Sequence, residues 1–219
     1  MEREKQNEKM QKVIKELIKK IDADPYDQES YYALGTVLTE EKSFAQAEEL
    51  FKKALNALKD KTDDHDLLHY GLGNVYYASE LYDEAIKEFE AVKNKKLKTQ
   101  AYIMLAQAYY AKGDYQKALV FALTASEQAK SAEVYSLMGD CFLAMGEFTS
   151  AKMYYEKALA LSPDDVLVNF QLGVVSVVLG EDPAKYFEKA EKLDSKQYEK
   201  LKTRLNDVEQ TLKQMSKKA

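Results

Sequence analysis

The sequence predicts an all-α fold assembled from stacked helix pairs, and three observations carry that expectation. The 219 residues hold 46% hydrophobic and 32% charged side chains but only 8 Gly and 3 Pro, a helix-rich balance with few breakers. Small residues recur at a near-constant interval, at Gly35, Gly73, Ala106, Gly139 and Gly173. Between them, apolar residues keep the three-and-four spacing of a helix face and are interrupted by short polar turns. Repetition at such an interval marks an array in which each unit packs on its neighbours.

Residues 132–165 show the unit most fully: AEVYSLMGDCFLAMGEFTSAKMYYEKALALSPDD. Two amphipathic runs meet at Gly146-Glu147 and close at Ser162-Pro163. Tyr135, Met138, Gly139 and Phe142 lie on the first run; Ala151, Tyr155 and Ala158 lie on the second, before Pro163. This string resembles the tetratricopeptide repeat (TPR), a helix-turn-helix of about 34 residues. The resemblance extends over 15–195 and is to small stand-alone bacterial TPR proteins. It implies an all-α right-handed TPR solenoid of five repeats with N- and C-terminal capping helices, and a single domain over 1–219.

Taken in order, residues 1–27 read as an amphipathic helix or half repeat. Met10, Val13, Ile14, Leu17, Ile18 and Ile21 form its stripe, and Pro25 stands where Pro163 stands later. The five repeats span 28–195. Tyr31, Leu34, Gly35 and Leu38 lie on the first helix of the first repeat, and Ala47, Phe51 and Ala54 on its second. His69, Leu72, Gly73 and Tyr76 follow, then Ala85, Phe89 and Val92. The step from Gly35 to Gly73 is longer than the later steps, and its surplus falls around 59–64, in helix or loop. The third repeat carries Tyr102, Leu105, Ala106 and Tyr109, then Ala118, Ala122 and Ala125, with Ala122 where an aromatic is usual. In the fifth, Leu172, Gly173, Phe187 and Ala190 match, but the turn at 180–183 is short and Pro183 opens the second helix.

Two antiparallel helices approach closely only where side chains are small. The recurring Gly and Ala are therefore expected to face Ala47, Ala85, Ala118 and Ala151 across each pair, with Tyr, Phe and Leu filling the wider spaces. The first helix of the fifth repeat is apolar on nearly every side and calls for a cover. The segment 196–219 offers one, a helix with Tyr198, Leu201, Leu205, Val208, Leu212 and Met215 in heptad-like steps. This tail is basic, with Lys196, Lys200, Lys202, Arg204, Lys213, Lys217 and Lys218 against Glu199, Asp207 and Glu209, in a chain of net charge −5.

Several functional classes are disfavoured. All but Arg3 and Arg204 of the 32 basic residues are lysine, which argues against phosphate or nucleic-acid recognition. One cysteine, Cys141, excludes an intrachain disulfide framework, and the charged start lacks the apolar core of a signal peptide. The longest apolar run, 172–179, is too short to span a membrane, so a cytoplasmic location is expected. No Gly-rich phosphate loop, CxxC or HExxH is present. His65 and His69 have the spacing of two ligands on one helix, but no third ligand is evident and His69 occupies an aromatic core position. No catalytic residue, metal or cofactor is expected, and the chain reads as no enzyme.

In the TPR family, the first helices of successive repeats line a concave groove that holds peptides or helices. The resemblance thus implies a scaffold or adaptor for a protein or peptide partner. Helix periodicity assigns the groove to Tyr32, Thr36, Tyr70, Asn74, Tyr77, Ile103, Gln107, Tyr110, Ser136 and Asp140. Tyrosines offer apolar area with a hydroxyl, and Asn74 and Gln107 offer both donor and acceptor to a peptide backbone. The plainer alternative is that these tyrosines are ordinary surface or packing residues. One TPR subclass clamps a terminal carboxylate with Lys and Arg here; only Asn74 fits that pattern, so a chaperone-tail adaptor is not expected. A rival reading is a self-associating structural protein, dimerising through Phe170, Val174, Leu201, Leu205 and Leu212.

Overall fold

The computed structural model describes residues 2–62 and 64–216, with side chains described for 9–62 and 64–206. The described chain is helical, in the order α1 (Glu2–Ala23), α2 (Gln28–Glu40), α3 (Phe44–Leu58), α4 (Asp66–Ala78), α5 (Tyr82–Ala91), α6 (Lys95–Ala111), α7 (Tyr115–Gln128), α8 (Ala132–Ala144), α9 (Phe148–Leu161), α10 (Val166–Val178), α11 (Ala184–Leu193) and α12 (Ser195–Ser216). It divides into two compact units, Met1–Thr124 and Ala125–Ala219, with the boundary inside α7.

Within each helix pair the turn is built the same way. Lys42, Glu80, Gly113, Gly146 and Gly180 all take left-handed backbone, with φ of 59°, 64°, 82°, 77° and 72°. The next residue donates its N–H five positions back, as from Ser43 to the Leu38 carbonyl (2.8 Å) and from Glu147 to that of Phe142 (2.8 Å). This six-to-one bond satisfies a carbonyl left open at the helix end. Glycine suits the left-handed residue, yet lysine and glutamate hold it in the first two turns. N-terminal caps start several helices: Asp27 Oδ1 accepts from the amides of Glu29 (3.0 Å) and Ser30 (3.3 Å), and Ser131 and Asp165 cap α8 and α10. The surplus length falls between α3 and α4, where residues 59–62 and 64–65 are non-helical.

In the first unit, α2 packs on α3 and α4, α4 on α5 and α6, and α3 and α5 each pack on the following first helix. Phe51 is the hinge of this packing. Its ring lies where a Cβ would stand on either Gly35 or Gly71, so it is sandwiched between the backbones of α2 and α4. Phe89 covers Gly73 in the same way. In the second unit Tyr155 covers Gly139 and Phe187 covers Gly173. The glycines are therefore met by aromatic rings from the second helix. The expected alanines, Ala47, Ala85, Ala118 and Ala151, are fully buried, but they are not the atoms a glycine Cβ would strike. The reason is side-chain direction: a ring leans towards its own helix N-terminus and reaches back about one turn, past the alanine. Ala106 is the exception that fits, because its counterpart Ala122 has no ring and both are fully buried. Phe121, one residue earlier, stacks on Tyr109 instead (5.4 Å between centroids).

Two polar contacts tie the first unit together. Asp66, buried at the start of α4, accepts the backbone N–H groups of Lys93 (2.5 Å) and Asn94 in the loop before α6. His69 Nδ1 pairs with Glu88 Oε2 on α5 at 2.7 Å. In the second unit α12 packs on α10 and α11. Tyr198 meets Phe170 and Phe187 edge-on, at 5.9 and 6.3 Å between centroids. The heptad-like residues Val208, Leu212 and Met215 fall outside the described side chains.

Candidate functional site

The first helices of the first unit lie side by side, α4 touching both α2 and α6. Tyr32, Thr36, Tyr70, Asn74, Tyr77, Ile103, Gln107 and Tyr110 occur on these three helices, and every one is half-buried. Tyr32 and Tyr70 approach across the α2–α4 contact, their rings 6.4 Å apart, and Tyr70 in turn sits 5.7 Å from Phe89. Gly71 makes this row compact, since any Cβ there would meet both Phe51 and Tyr32.

The polar members differ in how much bonding capacity they retain. Thr36 donates its hydroxyl to the Tyr32 carbonyl (2.9 Å), one turn back on its own helix. Gln107 is already engaged within the protein. The Asn74 amide has no hydrogen-bond partner among the described residues, so it keeps two donors and an acceptor. Tyr77 and Tyr110 pair across their turns with Tyr82 (5.7 Å) and Tyr115 (5.3 Å). Burial, and then the neighbouring Tyr82, push the Tyr77 phenol above its ordinary value.

Ser136 and Asp140 belong to the second unit, on α8, and are likewise half-buried. Tyr155 crosses beneath Gly139 and donates its hydroxyl to Asp140 Oδ1 at 2.6 Å. Burial raises the Asp140 carboxyl above the usual range; the Tyr155 bond opposes this, and Asp165 adds to it. Cys141, fully buried beside it, has its thiol pushed up to about 12 by burial and then by Asp140. Such a thiol is protonated and a poor nucleophile at neutral pH. The Asp140–Tyr155 link escaped the sequence reading, although a signal existed. Tyr155 is the hydroxyl-bearing ring where the equivalent residues are Phe51, Phe89 and Phe187, and Asp140 is the acid where Thr36, Asn74, Gln107 and Val174 stand.

Among the described residues, no group of three His, Cys, Asp or Glu side chains is placed to hold a metal ion. His69 is committed to Glu88. No helix among the described residues is long and apolar enough to cross a membrane.

These features define a class: an all-α protein of tandem helix pairs, closed by left-handed turns and packed ring against glycine. Tetratricopeptide-repeat profiles match residues 38–102, 99–130 and 132–165, and the chain belongs to the tetratricopeptide-repeat family. No curated protein matches the chain. Solved structures do. PilF of Pseudomonas aeruginosa is similar with a TM-score of 0.73 at 17% identity, over 91% of each chain. YrrB, a TPR protein with an unusual peptide-binding site, gives 0.61 at 21% identity, over 82% of this chain and 93% of that one. MamA gives 0.63 at 23%, over 76% and 97%. At these identities the likeness is one of fold. TPR units are protein–protein interaction modules and are generally non-catalytic, and the chain is accordingly an interaction scaffold.

Proposed function

We propose that the chain is a non-catalytic adaptor that holds a peptide or protein segment against its first helices. In the first unit the binding face is Tyr32, Thr36, Tyr70, Asn74, Tyr77, Ile103, Gln107 and Tyr110; in the second it includes Ser136 and Asp140. The observation that carries this reading is Asn74. It is a half-buried amide with its bonding capacity unused, one helical turn from Tyr70 and its aromatic row. A partly exposed amide is bonded by water in the free chain, and an extended peptide backbone offers both complements in its place. Tyr32 and Tyr70 would supply apolar area beside it. Affinity capture from cell extract tests this with Tyr70→Ala/Asn74→Ala as control. A partner held by the wild type and lost by the folded double variant supports the reading; equal capture by both sinks it.

A second reading is self-association through α10 and α12, with Phe170, Val174, Leu201, Leu205 and Leu212. Its motive is the apolar surface of α10, where Leu167, Val177 and Val178 remain 39%, 57% and 51% exposed. Tyr198 favours the intrachain alternative, because it already covers Phe170 and Phe187. Light scattering of the full chain against one ending at Ser195 separates the two. A dimer that becomes a folded monomer favours assembly; a monomer that becomes insoluble favours an intrachain cover.

A further inference from the structure

Several carboxylates of this chain have lysine partners: Glu48 with Lys52, Glu49 with Lys53, Asp83 with Lys112, Asp164 with Lys189 and Glu181 with Lys152. Asp66, buried without a cation, has two backbone N–H groups instead. Asp140 is half-buried, yet no cation pairs with it among the described residues. The Tyr155 hydroxyl donates to its Oδ1, and the nearby charge that acts on it is another carboxylate, Asp165. Burying a charge without a counter-charge is unfavourable, and a cation arriving in such a place forms a stronger bond than it would in water.

The position of the residue gives this imbalance a use. Asp140 follows Gly139 on α8 as Thr36 follows Gly35 and Asn74 follows Gly73. It therefore stands at the same place on its first helix as the residues assigned to the binding face of the first unit. The neighbouring positions on that face of α8, Glu133, Ser136 and Leu143, include no cation. Tyr155 cannot swing away easily, because its fully buried ring lies directly under Gly139. The carboxylate is thus held at one oxygen, while Oδ2 has no partner among the described residues.

We propose that Asp140, oriented by Tyr155, is a recognition point for a cationic side chain, lysine or arginine, on a peptide segment bound against α8 of the second unit. This rests on the adaptor reading and narrows it to partners with a basic residue at a fixed place. Because Oδ1 already accepts from Tyr155, a single ammonium or one guanidinium N–H fits better than a two-pronged contact.

The test is selection from a displayed random-sequence peptide library by the full chain, its Asp140→Asn variant and the Tyr70→Ala/Asn74→Ala variant. Asparagine keeps an acceptor for the Tyr155 hydroxyl, so its melting temperature serves as the control on folding. The wild type is expected to enrich Lys or Arg at one position, and Asp140→Asn to lose that enrichment. For a selected peptide, Lys→Met should weaken binding to the wild type about tenfold and to Asp140→Asn by less than about twofold. The peptide substitution needs no protein variant, so instability of Asp140→Asn would leave the test intact. Selection of peptides with no basic position, or equal loss in both proteins, overturns the Asp140 proposal and leaves the adaptor reading standing. A wild type that selects no peptide at all overturns both.

Discussion

A carbon added to Gly139 would lie 2.5 Å from Cε1 of Tyr155, closer than any side-chain carbon can sit. The ring therefore uses the missing side chain as its floor, and α8 and α9 approach as closely as they do because of it. Gly139→Leu should cost roughly 1–3 kcal/mol, the range for overpacking a filled core. Thermal unfolding checks it: a lower melting temperature is expected. Pairing Gly139→Ala with Tyr155→Leu should recover part of the single-variant losses, since the two residues are in contact.

The left-handed turns give a prediction of opposite sign at different sites. Lys42 and Glu80 adopt φ of 59° and 64°, a conformation that costs a side-chain-bearing residue roughly 1–2 kcal/mol. Glu80→Gly removes that strain, at the expense of the entropy glycine loses on folding, about 0.5–1 kcal/mol. A net gain of up to about 1 kcal/mol should appear in denaturant unfolding. Gly146→Ala, at φ 77°, should destabilise instead.

Cys141 should resist thiol reagents while the chain is folded. Its thiol is fully buried and pushed up to about 12, so the reactive thiolate is scarce at pH 8. Labelling with an aromatic disulfide reagent should be slow under native conditions and rapid in denaturant. Fast native labelling would show that α8 opens freely.

The cap of α2 makes stability sensitive to acid. The Ser30 hydroxyl, at 2.5 Å from Oδ2, is the first cause that holds the Asp27 carboxyl below its ordinary value, and the Ser30 and Glu29 amides add to it. The unfolded chain therefore binds this proton at higher pH than the folded one. The stabilisation is present above the ordinary carboxylate value of about 3.9 and is lost as pH falls through the lower folded value. Asp27→Ala should cost about 0.5–2 kcal/mol at pH 7. Its difference from wild type in melting temperature should shrink below about pH 4.

Much of this architecture was legible because stacking helix pairs demands small residues at fixed places, and Gly35, Gly73, Gly139 and Gly173 spell those places out. What fills the space opposite was not. Spacing alone puts Ala47 and Ala151 level with the glycines, whereas Phe51 and Tyr155 reach back to them along the side-chain direction. The turn residues Lys42 and Glu80 were hidden because their composition says nothing of left-handed backbone. For the candidate site, periodicity found residues that are all half-buried. It did not distinguish Asn74, with its amide unused, from Tyr77 and Tyr110, which are drawn into pairs across the turns with Tyr82 and Tyr115.

The direct test of the binding face is amide chemical-shift mapping of the full chain with a peptide taken from the library selection. Binding should perturb first-helix residues, Tyr32, Thr36, Tyr70 and Asn74 in the first unit or Ser136 and Asp140 in the second, while leaving Lys52, Lys53 and Lys87 on the second helices unmoved. Perturbations confined to α3 and α5, with the first helices silent, would contradict the assignment.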